Sequence, residues 1–119
     1  MSEPTPEISF DDFMKIDLHF GQVVAAELVP KSENLVKMQV SFGHVEKTIL
    51  AGVAKSYSPD AIIGKVFLFV INLAPRKIMG IESHGMMLAA GEDVHALSLV
   101  TPVSSENPTP DTLVGSRVH

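Results

Sequence analysis

The segment from Asn72 to Gly91 reads Asn-Leu-Ala-Pro-Arg-Lys-Ile-Met-Gly-Ile-Glu-Ser-His-Gly-Met-Met-Leu-Ala-Ala-Gly, and the rest of the chain is arranged around it. Apolar residues lead into it, from Val66 to Ile71, and end it, from Met86 to Ala90. Each apolar run predicts a buried strand. Between the two strands we expect a loop that carries the chain's only adjacent basic pair, Arg76-Lys77. Loops held by rigid strands often carry binding residues, so this loop is the first candidate site.

Three further strands are predicted upstream of this segment. Residues Asp17 to Val29 form a long first strand, which we expect to bulge or bend at Gly21. Residues Val36 to Phe42 alternate apolar and polar side chains, which indicates a half-exposed antiparallel strand. Residues Thr48 to Val53 return as the third strand.

A short helix is predicted between the third and fourth strands. Ser58 is a suitable N-cap, Pro59 suits the first helical position, and Gly64 lies just past the end, which together indicate a helix over residues 59–63. The order is therefore three strands, a helix and two strands. It is the order of the OB-fold, an all-β, five-stranded Greek-key barrel that often binds oligonucleotides. The apolar residues beyond Gly91 then form a C-terminal extension to the barrel.

The first residues of the chain are polar and contain two prolines. We interpret residues 1–8 as a loose leader and residues 9–119 as the folded domain. Ser9, three residues before Asp12, predicts a capped helical turn. We expect Phe10 and Phe13 to pin this turn to the core.

The composition indicates one soluble domain without a catalytic site. Its 119 residues are 45% hydrophobic and 19% charged, which is typical of a globular domain with one core. No apolar run approaches the ~20 residues of a membrane helix, and the N-terminus lacks the features of a signal peptide. We therefore expect a cytoplasmic protein with no membrane partner. Cysteine is absent and the five histidines lack metal-ligand spacing, so we expect no metal, no cofactor and no enzymatic activity.

Negative charge is concentrated at the two ends of the sequence. Residues 1–12 carry a charge of -4 and residues 92–119 carry -3, whereas residues 13–91 carry +2. A charge of +2 produces a weak field compared with proteins that bind nucleic acid without selectivity. Any nucleic-acid binding here must depend on shape and on a local basic patch.

The segment around the basic pair carries a specific motif. It resembles the signature of the tRNA-binding domain attached to the C-terminus of many methionyl-tRNA synthetases, a domain that also occurs free-standing. The matching residues are Asn72-Leu73-Ala74-Pro75-Arg76-Lys77, Gly80, Ser83, Gly85-Met86, Leu88-Ala89-Ala90 and, upstream, Asp12 to Leu18, Gly21, Tyr57-Ser58-Pro59 and Gly64-Lys65. The resemblance extends from about Ile8 to the C-terminus. His19 and Asn34 stand where the family commonly has Arg and Lys, so two positive charges are missing.

The resemblance implies a module that binds tRNA by its folded shape and assists aminoacylation or an aminoacyl-tRNA synthetase partner. In the family, the C-terminal extension packs beside the barrel and helps to form a two-fold homodimer. An apolar outer row on the fourth strand is compatible with such a dimer. The alternative is a monomer whose tail covers its own barrel.

A second class of function is a peptide-binding, chaperone-like OB-fold module. Export-related chaperones share the barrel and use it on peptides. They lack the Asn-Leu-x-Pro-Arg-Lys and Gly-Met-x-Leu-Ala-Ala pairing of this sequence, which favours RNA.

Four candidate RNA contacts lie in the motif. We expect Arg76 and Lys77 to contact phosphates, although surface charges are usually only solvated. The resemblance also implies that Ser83 and Met86 face RNA, although Ser83 could cap a turn and Met86 could belong to the core.

Three more candidates have a weaker basis. Asn72 is more suited to fixing the loop backbone than to touching a ligand. Lys31 and Lys37 lie on the exposed side of the first hairpin, where the second and third strands of OB-folds present their ligands, but single lysines are usually solvated.

Overall fold

The computed structural model describes residues 4–105 and 111–119. Its elements, in chain order, are α1 (Phe10–Phe13), β1 (Leu18–Leu28), β2 (Val36–Ser41), β3 (Glu46–Ala51), α2 (Pro59–Ile62), β4 (Val66–Val70), β5 (Arg76–Ile78), β6 (Ile81–Ser83), β7 (Met86–Met87), β8 (Ala89–Ala90), β9 (Ser98–Leu99) and a 3-10 turn at Asp111–Leu113. The first three residues of the predicted leader lie outside this part of the chain. Its remaining residues, 4–8, are exposed and belong to no helix or strand.

Five antiparallel strands curl into a nearly closed barrel. Their order is β3-β2-β1-β4-β7. Two hydrogen bonds bridge the remaining gap next to β7. The His84 N–H donates to the Thr48 carbonyl at 2.9 Å, and the Leu50 N–H donates to Ser83 Oγ at 3.0 Å. The predicted all-β, OB-fold barrel is therefore confirmed, and α2 occupies the predicted place between the third and fourth strands.

The strict alternation of β2 positions the core. Val36, Met38 and Val40 are buried, whereas Lys37 and Gln39 between them point to the outer face. Phe42 and Phe69 meet edge to face inside the barrel, with ring centroids 5.7 Å apart. The outer face of β2 is thus left to polar side chains, while the interior is closed by packing.

Gly21 does not cause the bend of β1. The register of β1 against β2 shifts between Val23 and Ala25, so the irregularity lies at Val24, and the prediction of a bulge at Gly21 was wrong. Gly21 is needed for another reason. A Cβ at this position would lie 2.6 Å from both Phe42 Cε1 and Val40 Cγ1, which is closer than atoms can pack.

The region after β4 differs most from the prediction. The expected loop at Arg76-Lys77 is a hairpin formed by β5 and β6, and the expected strand from Met86 to Ala90 is divided in two. Only β7 joins the barrel, because β8 pairs instead with β9 of the C-terminal extension. The chain leaves the barrel after Met87, and the C-terminal extension is held by the pairing of β8 with β9.

The N-terminal turn is capped as expected but lies on the surface. The side chain of Ser9 accepts a hydrogen bond from the Asp12 N–H at 3.0 Å. Phe10 is 72% exposed, so the expectation that it pins the turn to the core was wrong. Phe13 is half-buried.

The C-terminal extension packs against the barrel of its own chain. The Val100 carbonyl accepts a hydrogen bond from the Leu68 N–H of β4 at 3.1 Å. The last residues run beside β1, where the Gly115 N–H donates to the Phe20 carbonyl at 2.7 Å and the Val118 N–H donates to the Leu18 carbonyl at 2.8 Å. The tail therefore covers part of the barrel without a second copy of the chain.

Across residues 4–105 and 111–119, no helix combines the length and the apolar character that spanning a membrane requires.

Candidate nucleic-acid interface

The hairpin of β5 and β6 projects from the barrel between β4 and β7. Arg76 pairs with Ser83, Lys77 with Glu82 and Ile78 with Ile81. Met79 and Gly80 form its two-residue turn, with φ angles of 51° and 80°. Two-residue hairpin turns of type I′ require positive φ at both positions, which Gly adopts freely and Met does not. The tip of the hairpin is therefore a strained and exposed point of the motif.

A cavity of about 380 Å³ opens between this hairpin and the outer face of β3. We name it the hairpin pocket. Most of its lining is apolar, and the residues that line it are Leu50, Leu73, Ala74, Arg76, Ile78, Ser83, Gly85 and Met86. Three predicted site residues, Arg76, Ser83 and Met86, are thus brought together in one cavity.

The structure separates the two members of the basic pair. Arg76 lines the hairpin pocket, whereas Lys77 does not. Successive strand residues point to opposite faces, so Lys77 lies on the other face of the hairpin, across from Glu82. Both side chains are exposed, and within the described residues neither has an ion-pair or hydrogen-bond partner. Arg76 therefore offers an unpaired guanidinium at the cavity, and Lys77 offers a charge elsewhere.

Ser83 is buried and its hydroxyl is already engaged. The side chain is the acceptor for the Leu50 N–H at 3.0 Å and donates to the Gly85 carbonyl at 3.1 Å. Only 5% of the residue is exposed. These bonds join β3 to the end of the hairpin, so the first role of Ser83 is to close the barrel beneath the pocket.

Asn72 holds the backbone of the segment that leads into β1. Its Oδ1 accepts the Asp17 N–H at 2.8 Å, and its Nδ2 donates to the Lys15 carbonyl at 2.6 Å. Asn72 was expected to fix the loop backbone, and the segment that it holds is instead the one before β1. It is not among the residues that line the hairpin pocket.

A second, more polar cavity of about 320 Å³ lies on the outer face of β1, β2 and β3. We name it the strand groove, and its lining residues are Ala25, Ala26, Glu27, Lys37, Gln39 and Thr48. Thr48 and Leu50 are two residues apart on β3 and share a face, so the groove and the hairpin pocket open on the same side of the barrel.

The two lysines of the first hairpin differ in their surroundings. Lys37 lines the strand groove, where its Nζ lies 3.8 Å from Glu27 Oε1, so part of its charge is compensated. Lys31 is exposed in the loop after β1, has a φ of 69°, and lines neither cavity. The structure therefore brings Lys37 to the same face as Arg76, whereas Lys31 lines neither cavity on that face.

Several lining residues were not anticipated from the sequence. Leu50, Leu73, Ala74 and Ile78 form much of the hairpin pocket. The alternation of β3, in which Ile49 points to the core, places Leu50 on the outer face and could have suggested that the hairpin covers it. Leu73 and Ala74 belong to the family motif, but they lie in an irregular segment where no alternation of side chains indicates which way they point.

His19, at a position where the family resemblance leads us to expect Arg, is only partly exposed. Its Nε2 lies 2.8 Å from Asp17 Oδ1, its Nδ1 lies 2.9 Å from the Gly115 carbonyl, and Arg117 Nε is 3.1 Å from the same carboxylate. His19 thus contributes to the attachment of the C-terminal residues. His19 belongs to β1 and is not among the residues that line the hairpin pocket, so it does not add to the charge there.

In the described part of the chain, no group of three or more His, Asp or Glu side chains is arranged to hold a metal ion.

Known proteins are similar to this chain in sequence. The sequence profile of the family described as "Putative tRNA binding domain" matches residues 18–110. A methionine–tRNA ligase from Methanoregula boonei is 47% identical over 107 residues, which cover 90% of this chain and 16% of that protein. A methionine–tRNA ligase from Chloroherpeton thalassium is 42% identical over 113 residues, covering 95% of this chain and 15% of that protein. The chain therefore spans no more than 16% of the length of these relatives.

Solved structures share the fold over nearly the whole chain. A MetRS-related protein from Pyrococcus horikoshii has a TM-score of 0.82 at 36% identity, with 97% of this chain and 100% of that chain covered. The chaperone CsaA from Bacillus anthracis has a TM-score of 0.79 at 26% identity, with 96% and 100% covered. The profile match and the identities to the ligases show that this chain belongs to the family of tRNA-binding domains found at the C-terminus of methionyl-tRNA synthetases.

Proposed function

We propose that this chain is a tRNA-binding module that recognises the folded shape of tRNA. The observation that carries the proposal is the guanidinium of Arg76, which has no partner among residues 4–105 and 111–119 and lies in the family motif at an exposed cavity on the ligand face of an OB-fold. A guanidinium without a carboxylate partner is suited to a phosphate. The motif and the chemistry therefore point to the same surface.

Recognition by shape follows from the small charge of the body. Residues 13–91 carry +2, which is too little for tight binding by charge alone. Folded RNA offers phosphates, 2′-hydroxyl groups and the outlines of its grooves, while the base edges of its helices are poorly accessible. A few well-placed contacts on a rigid barrel distinguish a folded tRNA from an extended strand.

We further propose that the protein acts as a homodimer and delivers tRNA to an aminoacyl-tRNA synthetase. The relatives of 42–47% identity carry the same domain within a methionine–tRNA ligase, which supports a role next to aminoacylation. A separate module that binds the same tRNA as a synthetase would raise the effective concentration of tRNA at that enzyme. The chemistry of aminoacylation would remain with the partner.

The second candidate is a peptide-binding, chaperone-like module. The likeness to the chaperone CsaA favours it, as does the apolar lining of the hairpin pocket, which suits an aliphatic side chain. The identity to CsaA is 26%, whereas the identity to the Methanoregula boonei ligase is 47%. We therefore place tRNA first.

A direct comparison of the two ligands tests the proposal. The purified protein is titrated in a filter-binding assay with total tRNA and, in parallel, with a permanently unfolded polypeptide. We expect saturable tRNA binding that the polypeptide does not displace. Binding of the polypeptide with no retention of tRNA would replace the proposed function by the chaperone-like one.

A further inference from the structure

The hairpin pocket contains more than a phosphate contact needs. Its volume of about 380 Å³ lies near the lower end of the range for small-ligand pockets. Its lining includes the apolar side chains of Leu50, Leu73, Ile78 and Met86. Contact with apolar side chains is favourable for an apolar group, which leaves water, but costs free energy for a charged phosphate, which loses its hydration. The pocket therefore fits a ligand group with apolar faces.

The charge at the pocket narrows the choice of ligand. Arg76 is the only charged residue in the described lining, and its guanidinium has no partner within the described residues. A guanidinium binds phosphate oxygens and stacks on flat rings. A nucleotide combines a flat, apolar-faced ring with an adjoining phosphate. An apolar amino-acid side chain would fill the cavity but would bring no anion to Arg76.

We propose that the hairpin pocket holds one unpaired nucleobase of the bound RNA, with Arg76 on the adjoining phosphate. The inference rests on the proposed function and names the part of the tRNA that enters the site. A paired base is enclosed in its helix, so only a nucleotide that is already unpaired can enter without the cost of opening a helix. The polarizable thioether of Met86 makes favourable contacts with aromatic rings and lies in the lining.

The lining accepts a base without identifying it. Ser83 is the only uncharged polar side chain in the described lining, and its hydroxyl is already bonded to Leu50 and Gly85. Contacts to the face of a base tolerate any sequence, because every base has such a face. The pocket therefore adds affinity for a position that folded tRNAs leave unpaired, and it is compatible with recognition of shape.

Filling the pocket tests the inference. Ala74 and Leu73 line it and are exposed, so Ala74→Trp and, independently, Leu73→Trp introduce bulk there without disturbing the core. The matched control is Ala61→Trp, an exposed position on α2 that lines neither cavity. Each variant is checked by thermal melting and titrated with one transcribed tRNA. Dimethyl sulfate maps the exposed base edges of the bound tRNA, and hydroxyl radicals map its backbone.

We expect the original protein and Ala61→Trp to protect one or two unpaired bases from dimethyl sulfate. Ala74→Trp or Leu73→Trp should abolish that protection and weaken binding about five- to tenfold, while the backbone footprint persists. If the original protein binds tRNA but both filling variants leave the base protection and the affinity unchanged, the pocket does not hold a base, and the proposed function stands. If the original protein retains no tRNA, the proposed function and this inference both fail.

Discussion

At the scale of single residues, the adjacent basic residues Arg76 and Lys77 point to opposite faces of the hairpin. Arg76 lines the hairpin pocket, and Lys77 lies on the opposite face near Glu82. A sequence motif shows that both are present but gives no information on which faces the ligand, because neighbouring strand residues point in opposite directions. The two substitutions should therefore have different effects.

Arg76→Ala should weaken tRNA binding about tenfold, because a desolvated contact between a guanidinium and a phosphate contributes roughly 1–2 kcal/mol. It should also make the slope of log K against log salt shallower by about one unit, as the loss of one phosphate contact does. Lys77→Ala should change affinity less than threefold. Filter binding of the two single variants at several salt concentrations measures both quantities.

Neither substitution should lower the thermal stability measurably, because exposed charges without partners contribute little to folding. Lys65→Ala, an exposed charge before β4, serves as a control for a change in net charge alone. Equal losses for Arg76→Ala and Lys65→Ala would show that total charge governs binding and would contradict a local site.

Ser83 gives the opposite kind of prediction. Ser83→Ala leaves the N–H of buried Leu50 without its acceptor, which should lower the free energy of unfolding by about 1–3 kcal/mol. Ser58→Ala is the matched control, because Ser58 is exposed and its side chain makes no capping bond to α2. Urea unfolding compares the two. A Ser83→Ala variant that keeps full stability but loses tRNA binding would make Ser83 a ligand contact rather than a part of the barrel.

At the scale of elements, the turn of the β5–β6 hairpin is strained by one residue. Met79 has a φ of 51° and is 53% exposed, so little packing compensates for the left-handed backbone. Met79→Asn should stabilise the protein by about 0.5–1 kcal/mol, because Asn tolerates this conformation and Asn-Gly is favoured in such turns. Urea unfolding measures the change.

The control for Met79→Asn is Ile63→Asn, which also removes an exposed apolar side chain but at a φ of -62°. Ile63→Asn should not raise the free energy of unfolding. A drop in stability for Met79→Asn would mean that the exposed Met makes contacts that outweigh its backbone strain. Higher stability with weaker tRNA binding would identify a strain kept for function.

The elements that the sequence predicted correctly are those with a long or regular pattern. The alternation of Val36, Met38 and Val40 against Lys37 and Gln39 is visible in one dimension, and it placed β2 correctly. The hairpin has strands of only three residues, Arg76–Ile78 and Ile81–Ser83, which are too short to show a period. Its turn also begins with Met, where Asn or Asp would have signalled a hairpin.

The sequence predicted only those parts of the candidate site that a local motif can reveal. The motif identified Arg76, Ser83 and Met86, and the structure brings all three to one pocket. The bond from Leu50 to Ser83 joins residues 33 positions apart, so no local pattern reveals it. The attachment of Asp17 to Arg117 spans almost the whole chain. Contacts of this kind depend on how the barrel closes, which only the complete fold determines.

At the scale of the whole molecule, the exposed apolar residues bear on the proposed dimer. Phe10 is 72% exposed and Val103, in the C-terminal extension, is 99% exposed. A second copy packed on the extension would cover apolar surface of Val94 and Val103 that is otherwise in water, whereas the residues of β4 are already buried or half-buried. Light scattering at micromolar concentration should give about twice the monomer mass of 12.8 kDa.

Val103→Asp should shift this mass towards the monomer, because the charge would be buried in the proposed interface. Leu28→Asp, at an exposed apolar position at the end of β1, should leave it unchanged. A stable monomer of the original protein at micromolar concentration would show that the tail serves its own barrel alone.

The weak positive charge of the body also determines what kind of RNA contact the whole molecule makes. Residues 13–91 have eight basic side chains but a net charge of only +2, so we expect about four phosphates to be neutralised per site and log K to fall against log salt with a slope of roughly -3 to -4. Because helical RNA shows its shape more readily than its sequence, several unrelated tRNAs should compete within about tenfold of one another, a spread of ~1.4 kcal/mol. An isolated anticodon stem-loop should compete poorly, since it lacks the tertiary fold. Competition filter binding over a range of salt concentrations measures the salt slope, the spread among tRNAs and the competition by the stem-loop. If one tRNA is favoured by orders of magnitude, or if the stem-loop competes as well as the whole molecule, the protein distinguishes RNA sequence. The barrel would then have to contact base edges outside the hairpin pocket, because the apolar lining of that pocket cannot distinguish one base from another.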